Sequence, residues 1–483
     1  MKRSILFLSV LFILFYSIGG FPAEQKSGKM AITTSSEKAR DAYLKGRDLF
    51  EKLRARDSLD YFQKAVAEDP NMAVGYLQLS FVEPTAKGFF EDLKKAVALS
   101  NKASEGERYW ILGTEAGTNG HPDQQVEYFK KLVAVHPNDE RAHNILAGAY
   151  FGLQDYQQAI NEYTKAIAIN PNFSQPYNQM GYAYRFLEKY DDAEKTFKKY
   201  IELIPDDPNP YDSYAELLMK VGRYDESIAQ YRKALSVDPN FINSHLAIAT
   251  DLNFKGQYEK AREELQTLLQ NARDDGERRQ AHFAMSVSYM AQGNVEQALA
   301  EQQKMYDLAK ANNDPANMSG DLNTMGLIHL QANQPDQAKA KFDDALALIS
   351  NSTLSADVKE NAKKNHMFNI GQVALKKNDL AGAKNYAQQF QTQVETGKNK
   401  FQIWNAHQLN GMIALQEKNF DRAITELQQA NQQNTQIFFW LAKAYEGKGD
   451  SAKAQETYKK VATFNQLNSL NYAFVRSDAL KRI

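Results

Sequence analysis

AHNILAGAYFGLQDYQQAINEYTKAIAINP, residues 142–171, is answered by QPYNQMGYAYRFLEKYDDAEKTFKKYIELIP, residues 175–205, and by NPYDSYAELLMKVGRYDESIAQYRKALSVDP, residues 209–239. The closing prolines Pro171, Pro205 and Pro239 stand 34 residues apart, and Pro137 carries the series one step back. A fixed period in this range marks a repeat architecture, in which each unit buries its apolar face against its neighbours.

Within the period runs an order of aromatic, Leu, Gly, Tyr, Ala, aromatic, Ala and Pro. It resembles the tetratricopeptide repeat. The resemblance implies two antiparallel helices per unit, and so an all-α superhelical solenoid of tandem helix pairs. With the prolines at position 32, units start at about 39, 73, 106, 140, 174, 208, 242, 279, 319, 364, 404 and 435. That makes twelve units, from about Ala39 to Leu467.

The physics of each slot supports this register. Position 8 is small in every unit, from Gly46 and Ser80 to Gly411 and Ala442. The two helices of a unit must approach closely there. Position 15 falls at the turn between them. Gly120, Gly222, Gly256, Gly293, Asn333, Asn378 and Gly449 occupy it, residues that tolerate a left-handed backbone. Proline at position 32 ends the second helix.

The pattern frays in two places. Pro84–Gly88 (PTAKG) shifts the second helix of unit two by three residues. From residue 242 the closing proline disappears and the spacing lengthens, so longer helices or longer connections are expected there. The expected organisation is therefore a regular array over 39–241, an irregular longer-period array over 242–467 and a C-terminal capping helix over 468–483.

Ahead of the repeats, Lys2 and Arg3 precede an apolar run from Ile5 to Ile18, followed by Gly19 and Gly20. That order reads as a secretory signal over 1–21. Residues 22–38 read as a flexible polar linker. The expected address is outside the cytoplasm, periplasmic or secreted, in an exported protein of bacterial type. If the signal is not cleaved, it becomes an N-terminal membrane anchor.

Composition removes several function classes. The net charge is −1, which argues against a nucleic-acid partner. The absence of cysteine excludes disulfides, thiolate metal sites and cysteine nucleophiles. Twelve units leave no room for a separate catalytic domain, and no hydrolase or phosphate-loop motif is present. No cofactor and no metal are expected. His143, His245, His282 and His407 share position 4 with Tyr76, Tyr109, Tyr177, Tyr211 and Phe438. That slot reads as one for a planar ring packed between helices.

In proteins of this type the concave groove is lined by positions 2, 5, 9 and 12 of each first helix. The resemblance thus points to Arg141, Asn144, Phe151, Gln175, Asn178, Tyr182, Arg185, Asn209, Asp212, Glu216, Asn243 and Asn253 as a peptide-reading strip. Asparagine amides both donate and accept, and Arg and aromatic side chains anchor. An ordinary solvated face is the equal alternative. A Lys/Asn carboxylate clamp is not carried over, because Tyr43 and Arg47 stand where it needs them. In the C-terminal half the same positions turn apolar, with Phe283, Val287, Met290, Leu327, Leu330, Phe368, Leu375, Met412, Leu415 and Phe439. Either a partner or second copy covers that stripe, or the superhelix buries it internally. The expected function is a non-enzymatic scaffold for proteins or extended peptides. A peptide or small-ligand sensor whose superhelix changes pitch is the alternative, and an enzyme is the least expected.

Overall fold

The computed structural model describes residues 28–483. The expected signal and the first part of the linker lie outside the described residues. Twelve antiparallel helix pairs follow one another, and their bounds track the repeat register. They are α1 (Glu37–Glu51), α2 (Ala55–Glu68), α3 (Ala73–Val82), α4 (Ala86–Leu99), α5 (Glu105–Thr118), α6 (Pro122–Val135), α7 (Glu140–Gly152), α8 (Tyr156–Ile169), α9 (Ser174–Phe186), α10 (Tyr190–Leu203), α11 (Asn209–Lys220), α12 (Tyr224–Val237), α13 (Ile242–Phe254), α14 (Tyr258–Asn271), α15 (Asp275–Gln292), α16 (Val295–Ala311), α17 (Pro315–Gln331), α18 (Pro335–Ser350), α19 (Ala356–Lys376), α20 (Leu380–Gly397), α21 (Lys400–Gln416), α22 (Phe420–Gln429), α23 (Thr435–Lys448) and α24 (Ser451–Ala462). A last helix, α25 (Leu470–Leu480), follows. No strand occurs among the described residues, and none of their helices is long and apolar enough to cross a membrane.

Three slots explain why the chain folds this way. At position 8, a Cβ added to Gly46, Gly113, Gly181 or Gly326 would lie under 3.0 Å from the ring of Phe62, Phe129, Phe197 or Phe342 in the same unit. Glycine there lets the phenyl ring of the second helix sit against the backbone of the first. At position 15 the backbone is left-handed in every unit except the second. Leu53, Gln154, Glu188 and Lys418 adopt φ of 58–61° alongside the glycines and asparagines. In unit two α3 has only 10 residues, and after Glu83–Thr85 the Thr85 Oγ1 caps α4 by accepting from Gly88 N at 3.0 Å. The three-residue shift is this shortened first helix, against 13 residues in α7 and α9. The longer C-terminal period resolves as longer helices. α15 to α21 run 16–21 residues, against 13 or 14 in α5 to α10.

The position 4 ring has a defined task. Tyr177 and Tyr211 donate their hydroxyls to Pro171 O and Pro205 O, at 3.1 and 3.0 Å. His143 Nε2 and His245 Nε2 reach Pro137 O and Pro239 O in the same way, each at 3.1 Å. The other histidine nitrogen faces a glutamate 19 residues on: His143 to Glu162 at 2.6 Å, His282 to Glu301 at 2.7 Å, His407 to Glu426 at 2.8 Å, and His245 to Glu264. In these four units the ring's polar tip ties the unit to the proline of the one before.

This arrangement carries a pH dependence. The hydrogen bond to Glu162 holds His143 above the usual histidine value, with Pro137 O assisting against desolvation. The stability gained is therefore complete below the unfolded value of about 6.5 and is lost as pH rises through the folded one. His143→Tyr keeps a donor for Pro137 O and removes the titration. Its melting temperature should fall less than that of the natural chain between pH 5.5 and pH 8.5. Parallel curves for the two would remove this role.

The solenoid winds so tightly that its successive turns touch. Residues of the second turn cap backbone carbonyls at the inter-helix turns of the first. Asn361 Nδ2 donates to Asn119 O at 3.1 Å, Asn399 Nδ2 to Gly120 O at 3.0 Å, Lys400 Nζ to Leu153 O at 2.8 Å and Asn465 Nδ2 to Met219 O at 3.0 Å. At the start of the seam, Arg56 Nε lies 3.0 Å from Asp274 and Arg273 Nη1 3.2 Å from Asp57.

Two segments differ from their expected roles. Residues 28–36, expected as part of a flexible linker, are pinned across units one to four. Met30 N donates to Asp139 Oδ2 at 2.6 Å, Thr33 N to Glu107 Oε1 at 2.9 Å and Thr34 Oγ1 to Asp69 Oδ2 at 2.6 Å, and Lys29 pairs with Glu140. The C-terminal tail covers more than the last unit. Helix α25 enters the concave face, packs on α15, α23 and α24, and reaches α13 through Tyr472, whose ring centre lies 5.0 Å from that of Phe254. Val287, Met290 and Phe439 are buried in one cluster with Leu470, Tyr472, Phe474 and Val475. Phe283 and Leu327 pack against it. The apolar stripe is thus internal packing there. Of the two readings open for that stripe, a partner or second copy against internal burial, this part of it takes the second, and the chain's own helix does the covering.

Candidate functional site

The odd-numbered helices face the superhelix axis. In the N-terminal turn they enclose a cavity of about 560 Å³. Its wall is built from α1, α3, α5, α7 and α9, and its edge from Asn399 and Phe401 of the second turn. An aromatic row crosses it diagonally. Phe50 stacks on Phe81 with ring centres 6.1 Å apart, and Phe81 meets Trp110 at 6.5 Å. The diagonal arises because Phe50, Phe81 and Trp110 occupy positions 12, 9 and 5 of successive units.

Opposite the rings lies a polar wall. Arg141 forms a two-pronged bond to Glu51, Nε to Oε1 at 2.6 Å and Nη2 to Oε2 at 2.9 Å. This joins unit four to unit one across the groove. Arg47 shares the same carboxylate at 3.8 Å. Asn144 Nδ2 donates to Gln175 Oε1 at 2.9 Å, and Asn144 Oδ1 is left without a partner. On the ring side, on α3 three residues before Phe81, sits Gln78, only 2 % exposed. Its amide lies against the Tyr43 hydroxyl, and its Oε1 has no hydrogen-bond partner.

Of the twelve strip residues expected from the repeat register, Arg141, Asn144, Phe151 and Gln175 line this cavity. Seven others are partly or fully buried in a network through units five to eight. Asn178 Nδ2 donates to Asn209 Oδ1 at 3.0 Å, which repeats the Asn144–Gln175 bond one unit on. Tyr182 donates to Glu216 Oε2 at 2.7 Å, and Arg185 Nη1 pairs with Glu216 Oε1 at 2.9 Å. Asp212 accepts from Ser244 Oγ at 2.7 Å, and Asn253 from Ser288 Oγ at 2.8 Å. These side chains therefore serve each other. Burial pushes the Asp212 carboxyl up to about 7. Asn243 stands apart, in a surface cleft beside Arg54 and Asp238.

The groove downstream is closed by residues 464–480. Asn465 accepts from Tyr224 Oη at 2.9 Å, and Thr250 Oγ1 donates to Asn468 Oδ1 at 2.9 Å. Lys220 lies 3.9 Å over the Phe464 ring, and burial pushes its ammonium down to about 8. Reading along the register missed Phe50, Phe81 and Trp110. The same positions applied to units one to three would have found them. Gln78, at position 6, has no such signal. No group of three or more acidic or histidine side chains suited to a metal ion occurs among the described residues.

Family signatures described as TPR repeat match residues 147–185 and 215–250. Others described as tetratricopeptide repeat match 174–207 and 435–466, and a third covers 246–315. Over those stretches the chain matches the tetratricopeptide repeat. Several solved tetratricopeptide structures resemble parts of it. One from Parabacteroides merdae is 17% identical over 56% of this chain and 92% of its own, with a TM-score of 0.36. A thermophilic TPR protein of Thermus thermophilus is 24% identical over 44% of this chain and 98% of its own, with a TM-score of 0.30. MamA of Desulfovibrio magneticus is 20% identical over 36% of this chain and 98% of its own, also at 0.30. No curated protein matches the chain. Tetratricopeptide proteins generally act as scaffolds for proteins or peptides.

Proposed function

We infer that this chain is a non-enzymatic scaffold, working outside the cytoplasm, that holds a peptide segment of a partner in the cavity of its N-terminal turn. The observation that carries this reading is the row Phe50, Phe81 and Trp110 facing the Arg141, Asn144 and Gln175 wall around about 560 Å³. A cavity of that size with a few convergent polar groups suits a compact ligand. It accommodates a short stretch of chain rather than one running the length of the superhelix. The Lys2–Arg3 and Ile5–Ile18 order supports the exported address.

Peptide arrays probed with the chain lacking residues 1–21 test the reading. Trp110→Ala should weaken capture by about tenfold or more, as loss of a central aromatic anchor does. Asn243→Ala, outside the cavity, should leave it unchanged. Capture that survives Trp110→Ala, with crosslinks spread over the convex surface, would overturn it.

A sensor role has one observation in its favour. The cavity wall includes Asn399 and Phe401 of the second turn, beside the Asn399–Gly120 and Lys400–Leu153 bonds of the seam. A ligand held there touches both turns and biases the pitch between them.

A further inference from the structure

We propose that the N-terminal cavity is an anchor for a tyrosine or tryptophan side chain, whose ring packs against Phe50, Phe81 and Trp110 and whose O–H or N–H donates to Gln78 Oε1. This rests on the peptide-binding reading and adds what that peptide must carry. Two independent observations meet here.

The first is the aromatic row. Stacked or tilted rings lie 6.1 and 6.5 Å apart, edging an unfilled space. Offset-stacked and edge-on contacts favour another aromatic ring over an aliphatic chain of similar size.

The second is the unpaired acceptor. Gln78 is 2 % exposed, and its Oε1 has no partner. A buried acceptor without a donor costs free energy that a ligand recovers by supplying one. The Tyr43 hydroxyl is already against the same amide. Asn144 Oδ1, on the facing wall, is a second unpaired acceptor for the peptide's own backbone N–H. Only tyrosine and tryptophan carry both a large ring and a donor at its edge. Phenylalanine fills the space and leaves Gln78 unpaired. Lysine carries donors, but it has no ring to pack on the row, and its ammonium would join the guanidiniums of Arg47 and Arg141, which already pair with Glu51 and Glu140.

The test uses N-acetyl amides of tyrosine, tryptophan, phenylalanine and leucine, titrated into the chain lacking residues 1–21. Binding is read from the ¹H–¹⁵N resonance of the Trp110 indole, assigned through Trp110→Phe. Tyrosine and tryptophan amides should move it with affinities about tenfold tighter than the phenylalanine amide, the size expected when a buried acceptor goes unpaired. Leucine amide should bind more weakly still. In Gln78→Leu, the phenylalanine amide should bind at least as well as the tyrosine amide, reversing the preference.

Equal affinities for the tyrosine and phenylalanine amides in the natural chain would overturn the proposal and leave the peptide reading standing. So would a Gln78→Leu protein that folds and keeps the tyrosine preference. If no amide moves Trp110 at tens of millimolar, the anchor is refuted. If neutral oligosaccharides move it instead, both the anchor and the peptide reading fall. Should Gln78→Leu not fold, the tyrosine–phenylalanine comparison in the natural chain decides alone.

Discussion

A chain ending at Leu467 is expected to lose its C-terminal half's rigidity while its N-terminal turn keeps its fold. Removing α25 strips Leu470, Tyr472, Phe474 and Val475 from the cluster they share with Val287, Met290 and Phe439. Truncating one buried aromatic side chain to alanine costs about 3–5 kcal/mol, and the tail contributes two. The freed stripe would be a larger apolar patch than soluble monomers carry. Hydrogen exchange should speed up in α13, α15 and α23 and stay slow in α5 to α8. A hydrophobic dye should bind, and the melting temperature should fall by more than about 5 °C. The gentler Leu327→Ser change should move the same helices in the same direction. A truncated chain with unaltered melting and protection would show that α25 only rests on the groove.

The second large effect comes from the tightest approach within a unit. An added Cβ at Gly181 would lie 2.6 Å from Phe197 Cε1 and 2.8 Å from its Cζ. Both groups are held by packed helices, so neither gives way cheaply. Gly181→Leu should wedge α9 from α10 and cost about 4 kcal/mol or more, the range reserved for overpacking and similar core faults. Removing the obstructing ring supplies the control. Adding Phe197→Ala to Gly181→Leu should recover stability relative to Gly181→Leu alone, although Phe197→Ala by itself is destabilising. That sign reversal is a coupling only neighbours show. A Gly181→Leu protein melting within about 2 °C of the natural chain would remove the explanation of position 8.

These positions also show what could be read in advance. Small residues at position 8 and left-handed ones at position 15 are local demands of one helix pair, and the period made them legible. The position 4 rings were legible as packing, but their role was not, because Pro171 O and Glu162 lie in the preceding unit and on the second helix. The groove residues were harder. Asn144 and Asn178 stand where a peptide would be read, yet Gln175 and Asn209 of the next unit take up their amides. A register gives the direction of a side chain and is silent on whether a neighbour already uses it. Longest in range, and least legible, were the tail in the groove and the contacts between turns. They join residues such as Gly120 and Asn399, or Met219 and Asn465, which no period relates.

Those joins bear on when the molecule becomes functional during its own synthesis. A solenoid whose units meet only their sequence neighbours folds as it emerges, and each unit is finished as soon as the next one docks. Here the last wall of the cavity, Asn399 and Phe401, is made after the other four-fifths of the chain. Until Asn399 and Lys400 dock on Gly120 and Leu153, the aromatic row faces an open trough that any passing apolar segment can enter. On the proposed peptide-binding reading, the nascent chain is a less selective binder than the finished one. A slow or stalled end to translation would release a product with its helices formed and its recognition unfinished.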